Sequence, residues 1–389
     1  IPSVCSAHPD VLRASMRMAH RLNRSIVVEA TSNQVNQDGG YTGMRPADFV
    51  AFTHDLADQA GADRRSIIFG GDHLGTQVWR SMPAAQAMDK AETLVRDYVA
   101  AGFGKIHLDC SEGCQGEPAQ LDDAQTAERS ARLAQACAEV NEDLLFVVGT
   151  EVPPPGGARP EDGDIPPTDA TAAHATLAAH DATFGNLAPL IGGLVVQPGV
   201  EFGPSDVHHL PMDRDPGFLH ALADRPGVCL EAHSTDYQNP EVFPRLAVLG
   251  FAFQKVGPAL TFAYREALYA LDKLRDPAGK LESAMETVMM HDPSYWQSHY
   301  TGDENALYQQ RHFSLADRIR YYWPTPTARG AVAELVADMQ SPIPDAEMQK
   351  VCRPEVLDRA ENLEGTQVQR IIDAHIEVAL GPYLFEDTA

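Results

Sequence analysis

The sequence predicts an α/β protein, a (β/α)8 TIM barrel followed by a helical C-terminal extension. Short apolar segments rich in β-branched residues recur eight times, and most are followed by a glycine-containing turn and then a helical hydrophobic period. Repeated strand–helix units close most economically into a parallel barrel, and a chain of 389 residues is long enough for one. We therefore expect the barrel in residues 1–274 and the extension, packed on the barrel, in residues 275–389.

Each predicted element follows from the local pattern. The predicted strands are residues 2–7, 25–30, 66–71, 105–110, 144–152, 191–197, 228–234 and 251–257. Helical periods occupy residues 11–22, 46–60, 84–101, 124–139 and 260–274, and then residues 328–339 and 368–380 of the extension. Pro46 suits a first helical turn, and Asp122 or Asp123 can cap the helix that follows.

Two stretches leave alternatives open. Residues 152–168 are rich in proline and glycine and are too long for an ordinary connection, so they form either a functional loop over the barrel mouth or a disordered insertion. Residues 275–389 form either a helical appendage on the barrel or a small second domain.

Composition excludes several classes of partner. A formal net charge of -25 repels phosphate backbones and anionic lipid, so we expect neither nucleic acid nor membrane as a partner. No apolar run reaches the roughly 18 residues that a membrane span needs. The first residues lack a secretory pattern, and six scattered cysteines read as reduced core residues. These features predict a cytoplasmic protein.

The third predicted strand runs into Gly70, Gly71, Asp72 and His73. The two glycines leave the backbone free to bend and leave room for an approaching group, while the acid and the imidazole supply a proton carrier and a metal ligand. A plain turn with a hydrogen-bonded aspartate is the alternative for this motif in isolation.

Other strand ends are also polar, and in a TIM barrel the carboxyl ends of the strands meet at one rim. The candidates are Glu29, Asn33 and Gln34, then Asp72 and His73, then His107, Asp109 and Ser111, then Glu151, then Gln197 and Glu201, then Glu231, His233 and Asp236, and finally Lys255. Together they predict a divalent-metal site for zinc, manganese or cobalt. For His107 and Asp109, which alternation places on one strand face, a buried structural ion pair is the alternative.

Residues 314–323 gather Arg318, Arg320 and three aromatic side chains. The guanidinium groups could clamp a phosphate. Alternatively, an amphipathic helix docks its aromatic side on the barrel and pairs its arginines with acids. The sequence has neither a P-loop nor a Gly-x-Gly-x-x-Gly fingerprint, so neither a P-loop kinase nor a dinucleotide enzyme is supported.

Seven motifs resemble the accessory, or Z-type, subunit family of class II tagatose-bisphosphate aldolase. They are EATSNQVNQ (29–37), GGYTGM (39–44), GGDHLG (70–75), KIHLDCS (105–111), GTEVPPPGG (149–157), EAHSTDYQ (231–238) and DRIRYYW (317–323). The resemblance implies a partner that stabilises a catalytic aldolase subunit during tagatose phosphate breakdown, in the use of galactitol or amino sugars. It also implies an alternative, a C4-epimerase of ketohexose 6-phosphates. The label tagatose 6-phosphate kinase, also carried by the family, is the third possibility.

A weaker resemblance to the catalytic, zinc-dependent class II aldolases suggests roles for individual residues. It implies Asp72 as proton carrier, and His73, His233 and Glu151 as metal ligands. Their sixth-strand zinc histidine is replaced here by Gln197, and their eighth-strand asparagine by Gly257.

The resulting expectations are specific. Asp72, Glu151 and Asp109 are predicted as catalytic residues, and zinc or manganese as the metal. The predicted substrate is a ketohexose phosphate, bound by Asn33, Gln34, Lys255, Arg318 and Arg320. A catalytic aldolase subunit and further copies of this chain are the predicted protein partners.

Overall fold

The computed structural model describes residues 1–150 and 165–386. Its central feature is a closed, parallel, eight-stranded barrel, which confirms the predicted fold class. The barrel strands are β1 (Pro2–Cys5), β2 (Ile26–Thr31), β3 (Ile67–Leu74), β4 (Lys105–Leu108), β5 (Leu145–Val148), β6 (Ile191–Val195), β9 (Cys229–Ala232) and β10 (Phe251–Val256). A separate hairpin contains β7 (Glu201–Phe202) and β8 (Val207–His208).

Helices surround the barrel and continue beyond it. Those of the barrel are α1 (Pro9–Arg21), α2 (Pro46–Ala60), α3 (Ala84–Ala101), α4 (Asp123–Ala138), α5 (Ala170–Phe184), α6 (Phe218–Ala221), α7 (Val242–Val248) and α8 (Pro258–Arg275). Those of the extension are α9 (Lys280–His291), α10 (Glu304–Phe313), α11 (Pro326–Asp338), α12 (Asp345–Met348), α13 (Pro354–Glu361) and α14 (Gln367–Leu380).

Helix ends follow the expected chemistry. Pro46 opens α2, and Gly61 ends it in the left-handed conformation with φ 68°. Of the two aspartates proposed as a cap for α4, Asp122 takes the role, because its side chain accepts a hydrogen bond from the amide of Gln125.

The barrel closes where β1 lies between β10 and β2. Parallel strands put all their carboxyl ends at one rim, so side chains from β2, β3, β4, β9 and β10 meet there. Gly70 of β3 is needed at this rim, because a Cβ atom there would lie 2.9 Å from Oε1 of Glu29. The space beside Gly70 is therefore occupied by the side chain of Glu29.

The extension is tied to the barrel through α14, which packs against α8 and α1. On α14, Asp373 and Glu377 are fully buried, and they pair with Arg17 and Arg21 of α1 at 2.6 Å each. Since a buried carboxylate is costly without a partner, these pairs fix how the last long helix sits on the first. The division of the chain at residue 274 remains a prediction.

No helix among the described residues is both long and apolar enough to cross a membrane.

A candidate metal centre at the barrel mouth

Four side chains converge at the carboxyl ends of the strands. Asp72 and His73 end β3, His107 lies in β4, and His233 directly follows β9. Each offers one ligand atom, and these four atoms lie within 4.8 Å of one another. Asp72, His107 and His233 are buried, and His73 is partly exposed with a left-handed φ of 48°. A positive φ is strained for a histidine, which is typical of residues held for function.

The ring of His73 is oriented by Asp109. Nδ1 of His73 lies 2.9 Å from Oδ2 of Asp109, whose other oxygen accepts hydrogen bonds from the amide and hydroxyl of Ser111. Because an ionised carboxylate only accepts, Nδ1 of His73 carries the proton. Burial alone would lower the pKa of His73, but Asp72 and Asp109 raise it, so the free ring readily holds a second proton. In the neutral ring that a metal would bind, the lone pair is on Nε2, which lies 3.6 Å from Oδ1 of Asp72.

The ring of His107 is oriented in the opposite sense. Its Nε2 lies 2.9 Å from the carbonyl oxygen of Gly149, which also only accepts, so Nε2 donates. Nδ1 then carries the lone pair, and it accepts the backbone amide of His73 at 3.3 Å. The same Nδ1 lies 3.2 Å from Oδ1 of Asp72. The amide proton of His73 satisfies this lone pair, so a metal held by Nδ1 of His107 would have to displace that hydrogen bond.

The third ring, that of His233, is anchored by Glu231. Its Nε2 lies 2.9 Å from Oε1 of Glu231 and donates to it, so the lone pair is on Nδ1. Burial, followed by the charge of Lys255, lowers the pKa of His233 to about 3. The imidazole is therefore neutral at physiological pH, as a metal ligand must be.

These residues fit a divalent transition metal. Three imidazoles and one carboxylate are the donor set of many zinc and manganese sites. Each ring has its other nitrogen fixed by an acceptor, which is the outer-shell arrangement that sets tautomer and orientation at metal sites. His73, His107 and His233 are thus the described residues that could hold the ion, and Asp72 lies beside them as a fourth donor or as a proton acceptor.

A buried ion-pair network lies directly beneath the cluster. Nζ of Lys105 lies 2.6 Å from Oε1 of Glu29 and 2.5 Å from Oε2 of Glu231. Nζ of Lys255 lies 3.0 Å from Oε2 of Glu29 and also pairs closely with Asp72. The network joins β2, β4, β9 and β10 to the end of β3, so it positions the cluster relative to the whole rim.

The charges of this region favour a bound cation. Among the described residues, the network and Asp109 together supply four carboxylates and two ammonium groups. Burial alone would raise the pKa of Asp72, but the nearby charges of His73 and Lys255 hold it well below its usual range. Asp72 is therefore ionised, and a divalent cation would balance the excess negative charge.

A cavity of about 340 Å³ opens above the cluster. Its walls include Asn33, Gln34, Lys255, Arg318 and Arg320, the residues that the sequence predicts for substrate binding. Gln34 uses Oε1 to accept the amide of Thr31 at 2.8 Å, and Asn33 donates to Gln77 at 3.2 Å. Lys255 is held by Glu29 and Asp72, so its side chain forms part of the floor.

The two arginines come from a short 3-10 helix, Arg318–Tyr321, instead of the longer amphipathic helix considered from the sequence. Within the described part of the chain neither guanidinium pairs with a carboxylate. Arg318 donates to the carbonyl of Tyr295, and Arg320 to the carbonyl of Asp317 at 3.0 Å and the hydroxyl of Tyr321 at 3.0 Å. Both guanidinium groups thus line the cavity without a direct ion pair among the described residues, while the charges of Asp317 and Asp236 act on Arg320 from a longer distance.

Two predicted site residues need separate mention. Glu151, predicted as both a catalytic residue and a ligand, lies outside the described residues. Gln197, considered as a replacement ligand, turns its Oε1 to the amides of Gly199 and Val200 at 2.8 and 2.9 Å. Its oxygen thus holds the loop after β6.

The sequence placed His107, Glu29 and Glu231 at the rim, but it did not assign His107 as a ligand and did not predict the ion-pair network with Lys105. One signal was available, because Lys105 and His107 alternate along β4 and Asp109 continues the alternation just after it, so that all three are expected on the face that points into the barrel. Alternation alone could not decide between a structural pair and a ligand.

The closed barrel and the polar cluster at its mouth define the class, a TIM-barrel protein with a candidate metal centre at the carboxyl ends of its strands. A family model described as D-tagatose-1,6-bisphosphate aldolase subunit GatZ/KbaZ-like matches residues 1–386, and the chain belongs to this family. The resemblance noted from the motifs is thereby confirmed.

One solved structure agrees with this assignment. The crystal structure of a probable tagatose 6 phosphate kinase from Sinorhizobium meliloti 1021 is 42% identical, covers 99% of both chains and has a TM-score of 0.91. A fructose-bisphosphate aldolase from Campylobacter jejuni is 12% identical over 87% of both chains, with a TM-score of 0.45. The second likeness is too low to support any argument.

Proposed function

We propose that this chain is a metal-dependent C4-epimerase of ketohexose 6-phosphates that interconverts tagatose 6-phosphate and fructose 6-phosphate. One observation carries the proposal: three imidazoles, each with its second nitrogen anchored, converge with Asp72 above a buried ion-pair network. Such a cluster is costly to bury and gives no benefit to a protein that only supports a partner. Membership of a tagatose-bisphosphate aldolase family supports the class of substrate.

A divalent metal bound by the cluster would polarise the C2 carbonyl and neighbouring hydroxyl oxygens of the sugar. Asp72, an ionised carboxylate at the cavity floor, takes the proton of the C4 hydroxyl. The electron pair of the C3–C4 bond then moves to C3, leaving a three-carbon enediolate and an aldehyde at C4. When the aldehyde turns and presents its other face, the bond re-forms, Asp72 returns the proton, and C4 is inverted. No oxidant or cosubstrate is consumed.

Arg318 and Arg320 are assigned to the phosphate group of the sugar. Both line the cavity, and neither has a carboxylate partner in the described part of the chain. Guanidinium groups bind phosphate through strong charge-assisted hydrogen bonds, and this anchor would hold the phosphorylated fragment while the C3–C4 bond is open.

A second function is favoured by the family description, which calls its members subunits of tagatose-bisphosphate aldolase. In this alternative the chain supports a catalytic class II aldolase subunit in tagatose phosphate breakdown. The kinase name of the Sinorhizobium meliloti protein gains no support here, because the sequence contains no P-loop.

One experiment separates these functions. Metal content is measured on the purified chain, which is then incubated with tagatose 6-phosphate alone, with ATP, and with a catalytic aldolase subunit. Fructose 6-phosphate formed without ATP is the expected result. Raised aldolase activity without epimerisation would instead assign the accessory role, and formation of ADP would assign a kinase.

A further inference from the structure

The N-terminus of α8 is already occupied by a side chain of the protein. In TIM barrels the loops after the seventh and eighth strands and a nearby helix N-terminus commonly bind phosphate, because the free amides and the helix dipole favour an anion. Here the amides of Gly257 and Ala259, directly after the eighth barrel strand, donate to Oδ1 of Asp236 at 3.0 and 2.8 Å. A carboxylate therefore takes the usual place of a phosphate.

Asp236 is held firmly in that place. It lies on the loop after β9, the seventh barrel strand, and only 3% of its surface is exposed. Its neighbour Thr235 is fixed by a hydrogen bond from its hydroxyl to the carbonyl of Lys255 at 2.6 Å. Burial raises the pKa of Asp236 to about 6, so the carboxylate is negatively charged at pH 7.

Asp236 also faces the candidate site, because it lines the same cavity as Asp72 and Arg320. Among the described residues of this cavity wall, the lysine and arginine side chains are Lys255, Arg318 and Arg320, and Lys255 is engaged by two carboxylates. The wall thus offers one cationic place for a phosphate. A second phosphate placed near the N-terminus of α8 would meet the carboxylate of Asp236, which repels it.

We propose that Asp236 is a specificity-determining residue that restricts the site to ketohexose monophosphates. Its carboxylate blocks the two amides that a second phosphate would use, and its charge repels the second phosphate of a 1,6-bisphosphate. The inference rests on the proposed function for the identity of the sugar, and it adds which phosphorylated forms the site accepts.

The test compares binding of tagatose 6-phosphate and tagatose 1,6-bisphosphate by calorimetry in the presence of zinc, with epimerisation assayed in parallel. The wild-type chain, Asp236→Ser and Asp236→Asn are measured. We expect the wild type to prefer the monophosphate by at least about tenfold, the scale of a lost charged hydrogen bond. Asp236→Ser frees the amides and should remove most of that preference. Asp236→Asn keeps an acceptor and removes only the charge, so its effect should be smaller.

Glu112→Gln is the matched control. Glu112 is another carboxylate of the cavity wall, paired with Arg80 at 3.0 Å, and its substitution removes the same charge without touching the α8 amides. The preference should stay unchanged in this variant.

Several results would overturn the inference. They are equal binding of both sugars by the wild type, an equal gain for both sugars in Asp236→Ser, or the same loss of preference in Glu112→Gln. A wild type that binds with the expected preference but epimerises neither sugar would reject the proposed function and leave the role of Asp236 intact. Failure to bind either sugar would reject both.

Discussion

The carboxylate of Asp72 contacts Lys255 on one side and lies near the rings of His73 and His107 on the other. Replacing it with asparagine keeps the shape and removes the proton acceptor. Asp72→Asn should lower epimerisation by about 100- to 10,000-fold, the usual contribution of a general base. The three imidazoles remain, so the metal content measured by mass spectrometry should be retained. Normal turnover in this variant would show that another group moves the proton.

Asp109 invites a different prediction, because its contacts are those of an orienting residue. Burial would raise the pKa of Asp109, but the hydrogen bond and charge of His73 hold it below its usual range. Asp109→Asn should weaken metal affinity by about 10- to 100-fold, as loss of an outer-shell partner does elsewhere. Competition with a chelating dye measures this change.

The control for that experiment is Asp143→Asn, an exposed position before β5, where no change is expected. If Asp109→Asn kept its metal affinity and lost turnover, Asp109 would be a catalytic carboxylate, as the sequence predicts.

The sequence predicts which residues lie at the candidate site more accurately than it predicts what each of them does. Asp72, His73 and His233 could be selected because each follows an apolar strand and parallel strands deliver such residues to one rim. The role of His107 depends on the carbonyl of Gly149, a backbone contact across two strands that no residue pattern encodes. From the sequence, Gln197 is a candidate substitute ligand. In the structure its amide oxygen accepts the amides of Gly199 and Val200, and no residue pattern encodes the loop conformation that allows this.

At the scale of elements, the 3-10 helix Arg318–Tyr321 makes the extension part of the candidate site. Arg320→Ala should raise the KM for tagatose 6-phosphate by about tenfold or more, since a charged hydrogen bond is lost. Slow conversion of unphosphorylated tagatose should be unaffected, because that sugar has no group for the arginine to bind. Steady-state kinetics on both sugars test this.

Arg329→Ala is the matched control, because Arg329 lies nearby on α11 and is exposed. An equal loss on both sugars in Arg320→Ala would mean that the arginine supports the fold and does not bind the phosphate.

Among the described residues, the predicted barrel elements agree with the structure to within a few residues at their ends, since each strand and most helices carry their own period. The predicted end of the fifth strand, at residue 152, lies outside the described residues. The helical pattern gave a wrong prediction where the backbone conformation of one residue determines the local structure. Residues 314–323 look helical, but Asp317 takes a left-handed φ of 45° and accepts hydrogen bonds from Thr261 and Arg265 of α8. This tertiary contact breaks the helix and turns the arginines toward the cavity. The two-residue strands β7 and β8 are too short to give a periodic signal.

At the scale of the whole molecule, stability should depend on pH through α14. His375 is buried there, and within the described residues neither ring nitrogen has a hydrogen-bond partner. Burial lowers its pKa from 6.5 to about 4. Between these values the unfolded chain binds a proton that the folded chain does not, so stability falls as the pH falls from about 6.5 to about 4.

His375→Gln should remove part of this dependence, because glutamine does not titrate. The unfolding free energy should fall by about 2 kcal/mol less between pH 7 and pH 4.5 than in the wild type. Denaturant titrations at the two pH values measure the difference. The exposed His20, replaced by glutamine, is the control and should leave the wild-type slope unchanged. Equal slopes in all three proteins would contradict the assignment to His375.

The hydroxyl of Tyr383, in the short helix after α14, donates to the carbonyl of Thr235 at 2.8 Å, two residues from His233. A residue near the end of the described chain thus supports the loop that carries a candidate ligand from the seventh barrel strand. During synthesis, a growing chain can form all eight strands while Tyr383 is still inside the ribosome. We expect the nascent barrel to bind metal weakly until Tyr383 has emerged and docked on this loop.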